Sequence, residues 1–109
     1  MIQYNSTIFD LQAELCAAMS SPIRLRIVHI LKDGPLCVNK IAEILGITQS
    51  TTSRHLSVLR NSGILISNRA GVDVFYQVAN SKIVNICEMM REVLSEREMQ
   101  RSEIFHSDK

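Results

Sequence analysis

Gln49, Ser50, Ser53 and Arg54 fall close together in the run ITQSTTSRHLSVLRNSGIL, residues 47–65. Gln and Arg present paired polar atoms in a plane, and a Ser hydroxyl both donates and accepts. On one face of a helix, these groups suit the base edges of a DNA major groove. Gln can bond adenine bidentately, Arg can bond guanine, and Ser reaches bases or phosphate. A helix N-terminus adds a preference for a nearby phosphate. A second set of reactive groups is the three thiols Cys16, Cys37 and Cys87. As thiolates they would bind soft ions or meet oxidants.

The elements that must position these groups follow from periodicity and end signals. Ile8, Leu11, Leu15, Ala18 and Met19 form one helical stripe over residues 7–19. SSPIRLRIVHILKDG opens a second helix with Ser21 as N-cap and Pro22 at its first position, and closes at Gly34. PLCVNKIAEILG holds a short third helix with Cys37 at the N-cap position and Gly46 at its stop. Thr48 caps the fourth helix, over residues 48–62. On it Thr52, Leu56 and Leu59 share an inward face. Ser50, Ser53, Arg54 and Ser57 lie on the other side, and Gln49 projects from the first turn. ILISNRA and DVFYQVA are β-rich runs joined around Ala70-Gly71-Val72, a hairpin. Asn80 caps a last long helix carrying Ile83, Ile86, Met90 and Val93.

The predicted fold is mainly α with a β-hairpin wing, in the order α-α-α-α-β-β-α. A short helix, a tight turn and a capped helix make a helix-turn-helix, and the hairpin after it is a wing. Ser and Thr are weak helix formers, so the fourth helix gives up propensity for groove chemistry. A solvated surface helix would have the same composition, and the turn and wing around it favour the groove. Residues 1–100 read as one DNA-binding and dimerisation domain, and 101–109 as a polar, frayed tail.

Composition limits the alternatives. The chain has 109 residues, 46% hydrophobic and 21% charged, which suits a single globular domain. Residues 21–79 carry seven basic against three acidic side chains, whereas both ends are acidic on balance. That distribution fits a polyanion-binding centre. Three Cys without a CxxC pair fit a reducing cytoplasm rather than a disulfide framework. The first residues show no signal-peptide pattern, and no apolar run approaches the roughly 20 residues needed to span a bilayer. No nucleophile–base motif, HExxH or glycine-rich phosphate loop is present, so an enzyme is not expected.

SSPIRLRIVHIL, CVNKIAEILGITQSTTSRHLSVLRNSGIL and RAGVDVFYQV together resemble the ArsR/SmtB family of dimeric winged helix-turn-helix repressors, over about residues 11 to 95. The resemblance implies a homodimer formed by the first and last helices. It also implies binding to double-stranded operator DNA that an inducer abolishes. By position in the motif, Gln49, Ser50, Ser53 and Arg54 would face DNA, with Arg69 on the wing. His55 could touch a phosphate or be partly buried. Arg24 and Arg60 fit DNA-backbone contacts or intramolecular pairs.

The dimer also follows from the residues themselves. A three-helix core plus wing cannot bury both the Ile8/Leu11/Leu15 stripe and the Ile83/Ile86/Met90/Val93 stripe, and an uncovered stripe would be an exposed apolar patch. The inducer is less marked. Zinc-sensing members of the family carry Asp/His pairs in the last helix, and NSKIVNICEMMREVLSERE has no His. Members that sense arsenite or soft metals resemble CVCxL, where this chain has CVNKI: Cys37 matches the first thiol and Asn39 replaces the second. Persulfide and redox members pair second-helix and last-helix Cys, and here His29 stands at the former. Cys37, at a helix N-terminus that favours a thiolate, is the leading candidate sensor, equally well read as a small cap residue. Cys16 and Cys87 suit interface packing. If the three met across a dimer they would suit As(III), Sb(III) or another soft ion. No cofactor follows with certainty, and control by a small molecule or partner protein without thiol chemistry is the alternative.

Overall fold

Local end signals set most of the architecture. The computed structural model describes residues 6–107, with side chains from 7 to 102. The elements are α1 (Ser6–Ala18), α2 (Pro22–Ile30), β1 (Leu36–Cys37), α3 (Val38–Leu45), α4 (Gln49–Asn61), β2 (Leu65–Ala70), β3 (Asp73–Val78) and α5 (Ser81–Ser107). Ser21 caps α2 by accepting from the Arg24 N–H, with Pro22 leading the first turn. The helix stops at Ile30, and Leu31–Gly34 form turns rather than a continued helix. Asn80 Oδ1 accepts from the Lys82 N–H at 2.9 Å at the start of α5.

The sheet is three-stranded and antiparallel in the order β1-β3-β2. β2 and β3 pair from Leu65↔Val78 to Ala70↔Asp73. Gly71, at φ 65°, supplies the left-handed backbone of the two-residue turn between them. β1 was not anticipated: Leu36 and Cys37 pair with Tyr76 and Phe75, tying the lead-in of α3 to the wing.

The core joins α2 (Ile27, Val28), Leu31, α3 (Ile41), α4 (Leu56, Leu59), Ile64, Leu65 and Tyr76 of the sheet and Cys87 of α5. Ala18 is the one buried residue of α1 among those described. Leu15, Met19 and Ile83 pack partly against this core, so Leu15 and Ile83 are shared with the chain's own interior.

One expectation changes at α5, which runs as helix from Ser81 to Ser107. Its Glu, Arg, Met and Gln residues are good helix formers, and Glu98 pairs with Arg97 at 3.3 Å and with Arg101 at 3.4 Å. Cys87 turns into the core, with Ile86 outward. One residue is about 100° of helix, enough to move Cys87 from the expected interface into the chain's own packing. Among the described residues no helix is long and apolar enough to cross a membrane.

Candidate nucleic-acid interface

The turn between α3 and α4 is built from two local devices. Gly46 ends α3 in the left-handed region at φ 68°, its N–H directed at the carbonyls of Ala42 and Glu43. The Ile47 N–H also returns to the Ala42 carbonyl at 3.2 Å, closing the last turn. Thr48 then caps α4, its Oγ1 accepting from the Thr51 N–H at 3.2 Å. Thr52 donates its buried hydroxyl to the Thr48 carbonyl at 2.8 Å. The inward face of Thr52, Leu56 and Leu59 is fully buried, which fixes the rotation of the helix.

That rotation leaves Gln49, Ser50 and Arg54 exposed, with Ser53 and Ser57 half-buried beside them. The structure therefore places Gln49, Ser50, Ser53 and Arg54 on one accessible surface. Among the described residues the one hydrogen bond of the Arg54 guanidinium is a long 3.5 Å approach to Thr51 Oγ1. Among the described residues no carboxylate pairs with Arg54, Arg60 or Arg69. Arg69 is exposed on β2, opposite Val74 in the hairpin.

Arg24 is engaged within the chain. Its Nε donates to the Ala18 carbonyl, and its Nη1 lies 3.3 Å from His55 Nδ1. The end of α1, the start of α2 and the middle of α4 are thus held through one guanidinium. Nothing local in the sequence signals this link, because its partners lie 31 residues apart. His55 is half-buried and accepts from Arg24 as a neutral ring. Burial lowers its pKa below the ordinary 6.5, and Arg24 and Arg54 lower it further. The unfolded chain therefore takes up this proton first as pH falls. The contribution of neutral His55 to stability is complete above pH 6.5 and is lost below it, towards the lower folded-state pKa. Thermal unfolding against pH is expected to show a smaller loss across that window in His55→Asn, which keeps an acceptor and has no proton to gain. Equal losses in both proteins would contradict the assignment.

The thiols are separated in environment. Cys16 is exposed on α1, Cys37 half-buried at the start of α3, and Cys87 buried on α5. Cys37 occupies the N-cap position, but its side chain makes no capping bond. It lines a cavity of about 210 Å³ with Asn39, Gln49, Val72 and Asp73, where the start of α3, the first residue of α4 and the wing tip meet. Cys87 Sγ lies 4.0 Å from Met19 Sδ. Burial pushes the Cys87 thiol up, Arg91 opposes this, and Glu88 adds to it, so it is held as a thiol. Among the described residues no three His, Cys, Asp or Glu side chains are grouped to hold a metal ion.

Residues 21–67 match the family described as bacterial regulatory protein, arsR family. The transcriptional repressor PagR of Bacillus anthracis is 38% identical over 93 residues, which take in 84% of this chain and 91% of PagR. The chain belongs to the ArsR family. This ArsR-family chain is also similar to the transcriptional repressor SmtB of Mycobacterium tuberculosis, at 32% identity over 79 residues, 72% of the chain and 58% of SmtB. It thus spans less than two thirds of SmtB's length. The crystal structure of PagR superposes with a TM-score of 0.70 at 34% identity, covering 79% of this chain and 99% of that one. A homodimeric winged helix-turn-helix DNA-binding domain from Mycobacterium bovis shares the fold at a TM-score of 0.77 and 24% identity, covering 88% and 92% of the two chains. The ArsR family is one of regulatory proteins rather than enzymes.

Proposed function

We propose that this ArsR-family chain is a homodimeric, sequence-specific DNA-binding repressor that an inducer releases from its operator. The observation that carries the proposal is the surface of α4. Its buried Thr52/Leu56/Leu59 face sets Gln49, Ser50, Ser53 and Arg54 outward together, after a tight turn and beside a wing bearing Arg69. Helix α4 enters the major groove with its first turn, Gln49 and Arg54 bond base edges, and the Ser hydroxyls bond bases or phosphate. Arg69 follows the adjacent backbone. The names of PagR and SmtB as transcriptional repressors support the same role.

Exposed apolar stripes support the homodimer. Leu11 is 54% exposed, Ile86 51%, Met90 50% and Val93 60%. Leu11, Leu15 and Val58 also wall a groove of about 1010 Å³ between α1 and the end of α4. A second copy covers these surfaces, with the half-buried Ile8 and Ile83 at their margins. A two-fold dimer sets two reading helices roughly 34–36 Å apart, one turn of DNA. Nuclease footprinting on the DNA upstream of the chain's own gene tests this. Two protected half-sites one turn apart are expected, and uniform cleavage would refute the proposal.

Cys37 is the sensor this arrangement favours, because it shares a cavity with Gln49 and the wing tip. A soft metal or metalloid ion, or an oxidant, bonded to its sulfur would occupy the space beside Gln49 and disturb the reading surface. Release requires that the inducer prefer the low-affinity conformation, with a coupling of about 1–3 kcal/mol. Cys37→Ser keeps a residue suited to the N-cap and removes the thiol. The variant is expected to stay folded and bind operator while losing its response to thiol-reactive inducers in a gel shift. Release of the variant by the native inducer would move control to a small molecule or partner protein, or to Cys16 and Cys87.

A further inference from the structure

In the proposed dimer α1 meets the second copy and α4 meets DNA, yet little apolar packing joins these two helices. Ala18 is the one buried residue of α1 among those described. A groove of about 1010 Å³ lies between α1 and the end of α4. Arg24 of α2 lines that groove and bonds to both sides of it. Its Nε donates to the Ala18 carbonyl at the end of α1, and its Nη1 donates to His55 Nδ1 of α4 at 3.3 Å. The last carbonyls of a helix have no partner within it. Here the N–H groups of Met19 and Ser20 turn back to the carbonyls of Cys16 and Ala17, and the guanidinium takes that of Ala18. A cation at this end also suits the helix dipole.

Arg24 is half-buried, and Glu14 lines the same groove, yet among the described residues no carboxylate pairs with Arg24. The two acceptors therefore set its direction, through bonds that a charged donor makes stronger than neutral ones. His55 stands one residue from Arg54, about 100° round α4, on the flank that meets Arg24. The buried Thr52/Leu56/Leu59 face fixes the roll of α4, and the His55 link ties its flank to α1. We infer that Arg24 is a positioning residue for DNA reading: acting through His55, it fixes α4 relative to α1 and so sets the spacing of the two reading helices in the dimer, an inference that rests on the dimeric repressor proposed above. Any change in the α1–α4 relation enters twice across a two-fold axis, once from each copy. One base pair added between half-sites moves the second by about 3.4 Å and turns it by roughly 34–36°. Reading helices held at a fixed spacing reject that shift, and loosely held ones tolerate it.

The test uses the full chain and duplexes from its upstream region, with the native half-site spacing and with one base pair added or removed between the half-sites. The wild type is expected to bind the altered spacings about tenfold more weakly, the cost of about one mismatched pair. Arg24→Gln is expected to remain a dimer by sedimentation and to bind the native spacing about tenfold more weakly, the loss of a hydrogen bond to a charged group. It is also expected to lose most of the spacing penalty. Arg24→Lys keeps the charge and meets one acceptor at a time, so it falls between. His55→Ala removes the acceptor on α4 and is expected to relax the spacing in the same way, which decides the matter if Arg24→Gln does not fold. A full spacing penalty in either variant overturns the inference. So does a salt slope smaller by about one unit in Arg24→Gln, which would put Arg24 on a DNA phosphate. Arg54→Ala is expected to lose affinity at every spacing alike. A wild type that binds the operator no better than a shuffled duplex removes the repressor reading and this inference together, whereas a spacing preference kept by Arg24→Gln removes the inference alone.

Discussion

Met90→Asp is expected to convert the protein to a monomer and to abolish tight operator binding. Met90 lies on the outward side of α5 with Ile86 and Val93, and in the proposed dimer that side is covered. The substitution would place a carboxylate in the seam from each copy. Burying an unpaired ionised group costs at least several kcal/mol, more than a seam of this kind can absorb. The chain's own core, built on Ile27, Leu56 and Leu59, does not include Met90, so the domain keeps its helices by circular dichroism. Losing the second half-site removes the gain of paired binding, on the order of 10²–10⁴-fold. Sedimentation equilibrium at micromolar concentration, with operator titration alongside, checks both parts. A dimer mass for the variant, or a monomer for the wild type, would contradict the interface.

The second large effect is expected at Arg54. Its guanidinium has no carboxylate partner among the described residues and only the 3.5 Å approach to Thr51. Arg54→Ala should therefore leave folding stability within the usual surface range of about 0.5 kcal/mol. Operator affinity should fall by about 1–3 kcal/mol, roughly 5–150-fold. If Arg54 reads a base, the loss is larger on the operator than on a shuffled duplex. If it contacts only phosphate, the two losses are equal. Unchanged affinity on both would remove Arg54 from the interface.

The features legible in the sequence were those set by neighbours along the chain. Ser21-Pro22, Gly46-x-Thr48 and the Gly71 turn each work within a few residues, through a cap, a left-handed glycine or a two-residue loop. The inward phase of α4 was legible for the same reason, since Thr52, Leu56 and Leu59 repeat at helical spacing. Non-local features were not. β1 is two residues long and exists only because β3, some forty residues on, pairs with it. The Arg24–His55 link and the cavity shared by Cys37 and Gln49 depend on how helices and wing come together. Cys87 shows a finer limit. Ile86 and Cys87 are both apolar, and only the packed phase of α5 decides which one enters the core.

Reading of a defined DNA sequence by α4, as part of a dimer, is tested most directly by one equilibrium titration. The wild-type chain is titrated, at one fixed salt concentration, against a duplex from its own upstream region and against a shuffled duplex of equal length. Two chains per duplex are expected, with the native sequence bound on the order of 10³–10⁷-fold more tightly than the shuffled one. Equal affinity for both duplexes would reduce the interaction to backbone electrostatics and contradict the assignment of Gln49, Ser50, Ser53 and Arg54 as the sequence-reading surface.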